Sequence, residues 1–545
     1  MEKKTFASLV LAAVLTVGVF SGCGKKEEAA TKSGEKFTFT AGVAGADNER
    51  WKNDDYYKYI SDKLNVDIDF VAMSQADAQQ KARIWINSGD MPDVLLTTFK
   101  YDEYTKFAKQ GLIGALPADY AKQHTGVDFA LKMTGIDDKY LSVGSNGEKY
   151  GIIRPMDRYT PRIQEFRDAY ENGEDLSAKM KEKGNVLIDG YGFAYRKDWA
   201  EKLGIKTSEI MEYEDFLNMV RAFKKADLGG VGKENTVGIT VDYTEAPNIF
   251  VTAFNSSYKY FHKRDGKYVC GYTEPETAAG VEAYANAYRE GLLSPDFFTL
   301  KSQDLDSQFC VQKSGVIFPR CDVGMYTKLK TAFKSANPNL VPEDCIGMCW
   351  IKSPDGKVHG REVANYYSCV YFNPKLSDEK INKILDVMDY VVSPEGGPQI
   401  ELGVPDVDYK IENGKYIVTR EKNKNGEFVA ILDKYPSNLF FGDFMKTLFD
   451  RYAFSLDQQA VNSARSLEAE KRKNELSLLE VDFDQLFYNA EDYTKFQASH
   501  EINGMLSEIV VADGDIKKLW NNKVDSFRAE AEAVAENMNK NILGK

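Results

Sequence analysis

Aromatic rings next to planar amides and hydroxyls can hold a ring-shaped polyol by stacking and hydrogen bonding, and two facing carboxylates can hydrolyse the glycosidic bond between two such rings. The chain has material for both, with 31 Tyr, 31 Phe, 5 Trp and 83 acidic residues. Signatures of a dedicated catalyst are missing. There is no Gly-x-Ser-x-Gly elbow and no His-Glu-x-x-His, and His500-Glu501 lacks its second histidine. Gly229-Gly-Val-Gly-Lys233 lacks the glycine spacing and the following Ser/Thr of a phosphate loop. Cys345 and Cys349 have neither a second pair nor a nearby histidine, so no metal and no cofactor are expected. A pair of hydrolytic carboxylates stays open among so many acids, which leaves a secreted carbohydrate-active hydrolase as the alternative to a non-enzyme.

Such side chains must be held by loops at strand ends, and the chain alternates strand and helix in a way that supplies them. Phe37 to Val43 alternates apolar and polar residues and reads as a first strand. A helix follows over Trp51 to Leu64, a strand over Val66 to Val71, a helix over Ala76 to Ile86, and a short buried strand over Asp93 to Thr97. Lys149 to Ile153, Asn185 to Tyr195, Val237 to Val241 and Gly315 to Phe318 read as further strands. Glu212 to Lys225, Thr273 to Glu290 and Glu379 to Val392 read as amphipathic helices, and the chain from Ser437 as mostly helical. This grammar predicts an α/β fold with a largely parallel sheet, whose ligands sit beyond the carboxyl ends of the strands.

The candidates at those ends are Asp47, Asn48 and Trp51 after the first strand, and Thr98, Phe99 and Tyr101 after the third. Arg154 stands at an expected crossing between lobes fixed by Pro155, Tyr243 follows a later strand, and Arg320 and Asp322 follow another; Trp350 and Tyr366 lie on the segment that should return to the first lobe. Trp51 reads equally as a helix residue packed on the sheet, and Trp199 as core. Arg154 and Arg320 either form ion pairs or face the ligand, where their forks would suit the carboxylate of an acidic sugar.

The N-terminus carries its own chemistry. Lys3 and Lys4 precede an apolar run from Phe6 to Val19, and Phe20-Ser-Gly-Cys23 supplies a small-residue cleavage site. The run is shorter than the roughly 20 residues a membrane span needs. Residues 1–22 are therefore expected to be a signal peptide, with Cys23 as the site of lipidation, because the stretch resembles a bacterial lipobox; residues 23–36 would form a polar tether. The net charge of −13 includes no basic block, which argues against nucleic acid and against anionic lipid as partners. The other six cysteines read as small buried side chains rather than a disulfide framework.

Several stretches resemble the extracellular solute-binding lipoproteins of bacterial ABC importers, in particular the large carbohydrate-binding branch of Gram-positive bacteria. They are Ile86-Asn-Ser-Gly-Asp-Met-Pro-Asp93, Gly111-Leu-Ile-Gly-Ala-Leu-Pro117, Tyr195-Arg-Lys-Asp-Trp-Ala-Glu-Lys-Leu-Gly204, Tyr288-Arg-Glu-Gly-Leu-Leu-Ser-Pro-Asp296 and Ile384-Leu-Asp-Val-Met-Asp-Tyr-Val-Val-Ser-Pro-Glu-Gly396. Their order spans most of the chain after Cys23. The resemblance implies a two-lobed, periplasmic-binding-protein-like α/β fold with a hinge and a ligand cleft. Residues 37–153 would form the first part of lobe 1 and 154–357 the first part of lobe 2; 358–420 would return to lobe 1, and 421–545 would be a mainly helical part of lobe 2. Arg158 to Lys183 would be an insertion over the cleft. The implied function is a monomeric, lipid-anchored protein on the outer face of the cell membrane. It would capture an oligosaccharide or modified sugar, or alternatively a peptide or another solute, for ABC permease subunits.

Overall fold

The structure is a computed structural model, and it describes residues 35–74, 77–136, 138–143, 147–155, 163–176, 178–179, 188–189, 192–362, 366–424, 428–444, 457–474, 476–479 and 482–544. The signal peptide, Cys23 and nearly all of the tether lie outside them.

Alternating β-branched and aromatic residues build the first sheet, whose strand order is Val66–Met73, Phe37–Ala44, Val94–Thr97, Tyr366–Phe372, Ile152–Pro155. The first three strands run parallel, as the βαβ spacing predicts, while Tyr366–Phe372 pairs antiparallel with both its neighbours. The sheet is thus mixed. Both faces are covered, which is why Val94–Thr97 is apolar throughout: Val94 and Leu96 face a core with Val370, Phe372 and the helix Asp378–Val392, and Leu95 faces Cys369, Tyr371 and Phe107 on the other side. The helix expected over Trp51 to Leu64 is broken at Asp54, whose carboxylate caps Asp55–Leu64 by accepting the Tyr57 N–H.

The second lobe is built on a sheet of order Val316–Ile317, Gly192–Arg196, Ile346–Lys352, Ile210–Glu212. Its main core joins the amphipathic helices Tyr213–Ala226 and Pro275–Arg289 to the C-terminal helices through Phe216, Val281, Trp520 and Met538. Val237 to Val241 makes isolated bridges rather than a ladder, through Val237, Ile239 and Thr240. A third sheet, Leu476–Leu479, Val358–Glu362, Ile188–Asp189, lies where the chain passes between lobes, since Ile188–Asp189 leads into the second lobe and Val358–Glu362 leaves it.

Two stretches differ from the expected lobe boundaries. The helix Ile163–Glu171, expected in lobe 2 or over the cleft, buries Phe166 and Ala169 in the core of the first lobe, where Arg167 stacks on Phe129. Tyr435, Phe440, Phe441 and Phe444 pack there as well, on Tyr56, Phe39 and Phe70. Their aromatic spacing satisfies a helical pattern in either lobe, so the sequence alone cannot tell which core receives them.

The Leu385-Asp-Val-Met-Asp-Tyr390 stretch also has a structural use. Asp389 accepts the Val127 N–H at 2.7 Å and meets His124 Nδ1 at 3.1 Å, tying the helix Thr125–Lys132 to Asp378–Val392. Burial opposes a charge on His124, but the hydrogen bond and attraction of Asp389, with Asn382 and Asp386 behind it, outweigh that and raise its pKa. The folded state therefore binds this proton more tightly, and its stabilisation is complete below the unfolded pKa and lost as pH rises through the folded one. His124→Gln should remove a contribution of about 1 kcal/mol on the acidic side and little on the alkaline side. Melting curves across that range would check it.

Cys270, Cys310, Cys345, Cys349 and Cys369 are buried free thiols, and Cys321 is half-buried. No helix among the described residues is long and apolar enough to cross a membrane.

Candidate functional site

A cavity of about 390 Å³ opens between the lobes. Its first wall is set by the parallel strands. Val94–Thr97 ends at Thr98 and Phe99, and the next residues turn into the helix Tyr101–Lys109, where the Glu103 carboxylate reaches back to accept the Lys100 backbone N–H at 3.4 Å. Arg83 grips Glu103 with two hydrogen bonds of 2.6 and 3.1 Å, which fixes that turn and holds the Glu103 carboxyl below its usual range. Tyr101 and Asp102 therefore project from a braced helix start. Ile153, Tyr366, Ser368, Cys369 and Tyr371 complete this wall from the two antiparallel strands. Gly151, at φ +73, lets those strands close up, because a Cβ there would lie 2.7 Å from the Val370 carbonyl oxygen.

The opposite wall comes from Tyr260 and, late in the chain, from Gln485, Leu486, Phe487, Tyr488, Asn489, Tyr493, Thr494 and Gln497. Residues 482–489 act as a strap between lobes. On the second-lobe side, Asp482 accepts the Tyr268 hydroxyl at 2.6 Å and pairs with Lys263 at 2.9 Å. On the first-lobe side, Asp484 accepts from Lys139 at 2.8 Å and from the Tyr140 hydroxyl. Partial burial disfavours the Asp484 charge, but these two donors more than compensate and its pKa falls. Between the two acids, Phe487 enters an aromatic box, 4.7 Å from the rings of Tyr101 and Tyr140 and stacked at 6.2 Å on Tyr366.

Polar groups at the cavity are mostly neutral. Burial raises the phenols of Tyr101, Tyr104 and Tyr366, and pushes Tyr493 up to about 12, so each stays protonated. The Tyr493 hydroxyl accepts from Gln485 Nε2 at 2.6 Å and Gln497 Nε2 at 2.8 Å, so its own proton is available for donation. Rings with neutral donors and acceptors around a space of this size suit an uncharged, hydroxyl-rich ligand with apolar faces.

Of the sequence candidates, Thr98, Phe99, Tyr101 and Tyr366 meet at this cavity. The others do not line it. Asp47 caps the short helix Asn48–Asn53, Asn48 accepts the Phe70 N–H at 2.9 Å, and Trp51 is buried edge-on to Phe70. That helix turns Trp51 inward onto the sheet. Arg154 is buried against Ser368 Oγ, 2.9 Å from its Nε, with Asp443 at 3.8 Å. Arg320 is buried and paired with Asp306 at 2.8 Å, and Asp322 caps the helix Val323–Ala336. Trp350 is core, with Lys471 Nζ 3.9 Å from its ring centroid, and Tyr243 is exposed outside the cavity. Sequence reasoning missed the whole second-lobe wall. Its available signal was the interleaving of rings and amides from Phe483 through Gln485, Phe487, Tyr488, Asn489 and Tyr493 to Gln497.

No protein-family model matches the chain. Among curated proteins it is similar to Lipoprotein LipO of Bacillus subtilis (strain 168), 23% identical over 438 residues covering 78% of this chain and 77% of that one. It is also similar to the polygalacturonan/rhamnogalacturonan-binding protein YtcQ of the same organism, 19% identical over 539 residues covering 92% and 95%. Among solved structures, an EF-hand mutant of the ABC-transporter substrate-binding protein FusA of Streptococcus pneumoniae, in complex with fructo-nystose, superposes with a TM-score of 0.61 at 14% identity, covering 94% of this chain and 100% of that one. With its two sheet-based lobes, crossing strands and interlobe cavity, the chain has the fold of the extracellular solute-binding proteins of ABC importers.

Proposed function

We propose that this protein captures an oligosaccharide in the interlobe cavity and delivers it to an ABC permease. The observation that carries this reading is the aromatic box shared by the lobes: Phe99, Tyr101 and Tyr366 on one wall face Phe487 and Tyr488 on the other, with Gln485, Asn489 and Gln497 supplying amides. The sugar-binding relative and the sugar-bound structural neighbour support the ligand class. A ligand touching both walls shifts the protein toward its closed state only through contacts that closure improves, and the strap places Phe487 where closure brings such contacts together.

Binding without turnover fits the same lining. Glycoside hydrolysis uses two carboxyl groups flanking the bond, and Asp102 is the one carboxylate among the described lining residues. Calorimetry with an oligosaccharide panel should find a binder that is recovered intact, and scattering should show the protein contract around it. Release of shorter sugars would instead establish a hydrolase, and binding without contraction a static scaffold.

The lipoprotein relative supports acylation at Cys23 and an outer-face membrane location. Labelled fatty acid should enter the wild-type chain and not Cys23→Ser; equal labelling of the two would refute that anchor.

A further inference from the structure

Resting on the reading that the cavity holds a glycan, we infer that its ligand is neutral at every ring, and that the protein rejects the uronide polymers named for its polygalacturonan-binding relative. Among the described lining residues the charges are one cation, Lys100, and one anion, Asp102; the rest are rings, amides, hydroxyls and apolar groups. An oligouronide brings a carboxylate on each ring. Burying each of them requires a cation or several N–H donors, since an unpaired buried charge is strongly unfavourable.

Beyond Lys100, the cations near the cavity are committed elsewhere. Arg83 is engaged by Glu103, Lys139 by Asp484 and Lys263 by Asp482. The two guanidinium groups that the sequence offers for an acidic sugar, Arg154 and Arg320, are buried outside the lining, beside Asp443 and Asp306. The strap adds two acids beside the aromatic box, each already balanced by its own lysine. A ring carboxylate entering there would lose water and meet no counter-charge at Tyr493, whereas a hydroxymethyl group can both donate to and accept from the Tyr493 hydroxyl and the glutamine amides within a wall of rings.

The test is calorimetry and thermal shift on the full mature protein with a panel of equal-length oligosaccharides, paired so that each uronide is matched by its carboxyl-reduced, neutral counterpart, together with oligopeptides as controls. Neutral glycans should bind at least 10-fold more tightly than any uronide, and their affinity should not change between low and high salt. A uronide that binds as well as or better than the best neutral glycan, with affinity falling as salt rises, overturns the inference and leaves the capture of a glycan standing. Binding of peptides in place of every glycan, or of no panel member, overturns both.

Discussion

Replacing Phe487 by alanine should weaken glycan binding roughly 30- to 150-fold, a loss of about 2–3 kcal/mol. The ring joins Tyr101 and Tyr140 at 4.7 Å and Tyr366 at 6.2 Å, so it belongs to the contact between the lobes as well as to the cavity wall. Its removal takes away a stacking surface and a ring that links the two lobes, and both losses fall on the same measured affinity. Phe487→Tyr should keep most of the binding, because it preserves the ring. Calorimetry on the two variants separates these outcomes; an unchanged affinity for Phe487→Ala would remove the strap from the site.

Arg196→Ala should destabilise the second lobe by about 3–5 kcal/mol, the range for breaking a buried ion pair. Arg196 is 1% exposed and grips Asp198 with hydrogen bonds of 2.8 and 2.7 Å, while its third nitrogen reaches Gln312 at 3.1 Å. The guanidinium also lies 4.5 Å from the ring centroid of Trp199 and 5.1 Å from that of Phe333. Alanine would leave the Asp198 carboxylate without its counter-charge and open a space between two aromatic rings. Arg196→Lys keeps the charge but loses the fork and the planar stack, so it should fall between the two. Urea unfolding followed by circular dichroism should show an early transition for Arg196→Ala, and coincidence with the wild-type curve would contradict this account of the Tyr195-Arg-Lys-Asp-Trp199 stretch.

That stretch shows what a sequence can disclose. Its arginine, aspartate and tryptophan are close in the chain and act on one another, so their role is local and the pattern marks the fold. Thr98, Phe99 and Tyr101 were legible for the same reason, since they follow an apolar strand directly. Trp51 also follows a strand, but a six-residue helix intervenes and its rotation decides that the ring faces Phe70. Arg154 finds Ser368 across 214 residues, and Asp484 finds Lys139 across 345. Such long-range partners are set by how the lobes fold together, and no periodicity or spacing near Arg154 or Phe487 reports them. Half of the cavity wall therefore stayed hidden in a region that reads only as mostly helical.

A crystal structure with the tightest glycan from the panel tests the central claim most directly. The account predicts sugar rings in the interlobe cavity, lying against the joined cluster of Tyr101, Tyr366 and Phe487 and against Tyr488, with hydroxyls on Tyr493, Gln485 or Gln497. A glycan bound anywhere outside that interlobe cavity, for instance beside His124 and Asp386 on the far surface of the first lobe, would contradict it.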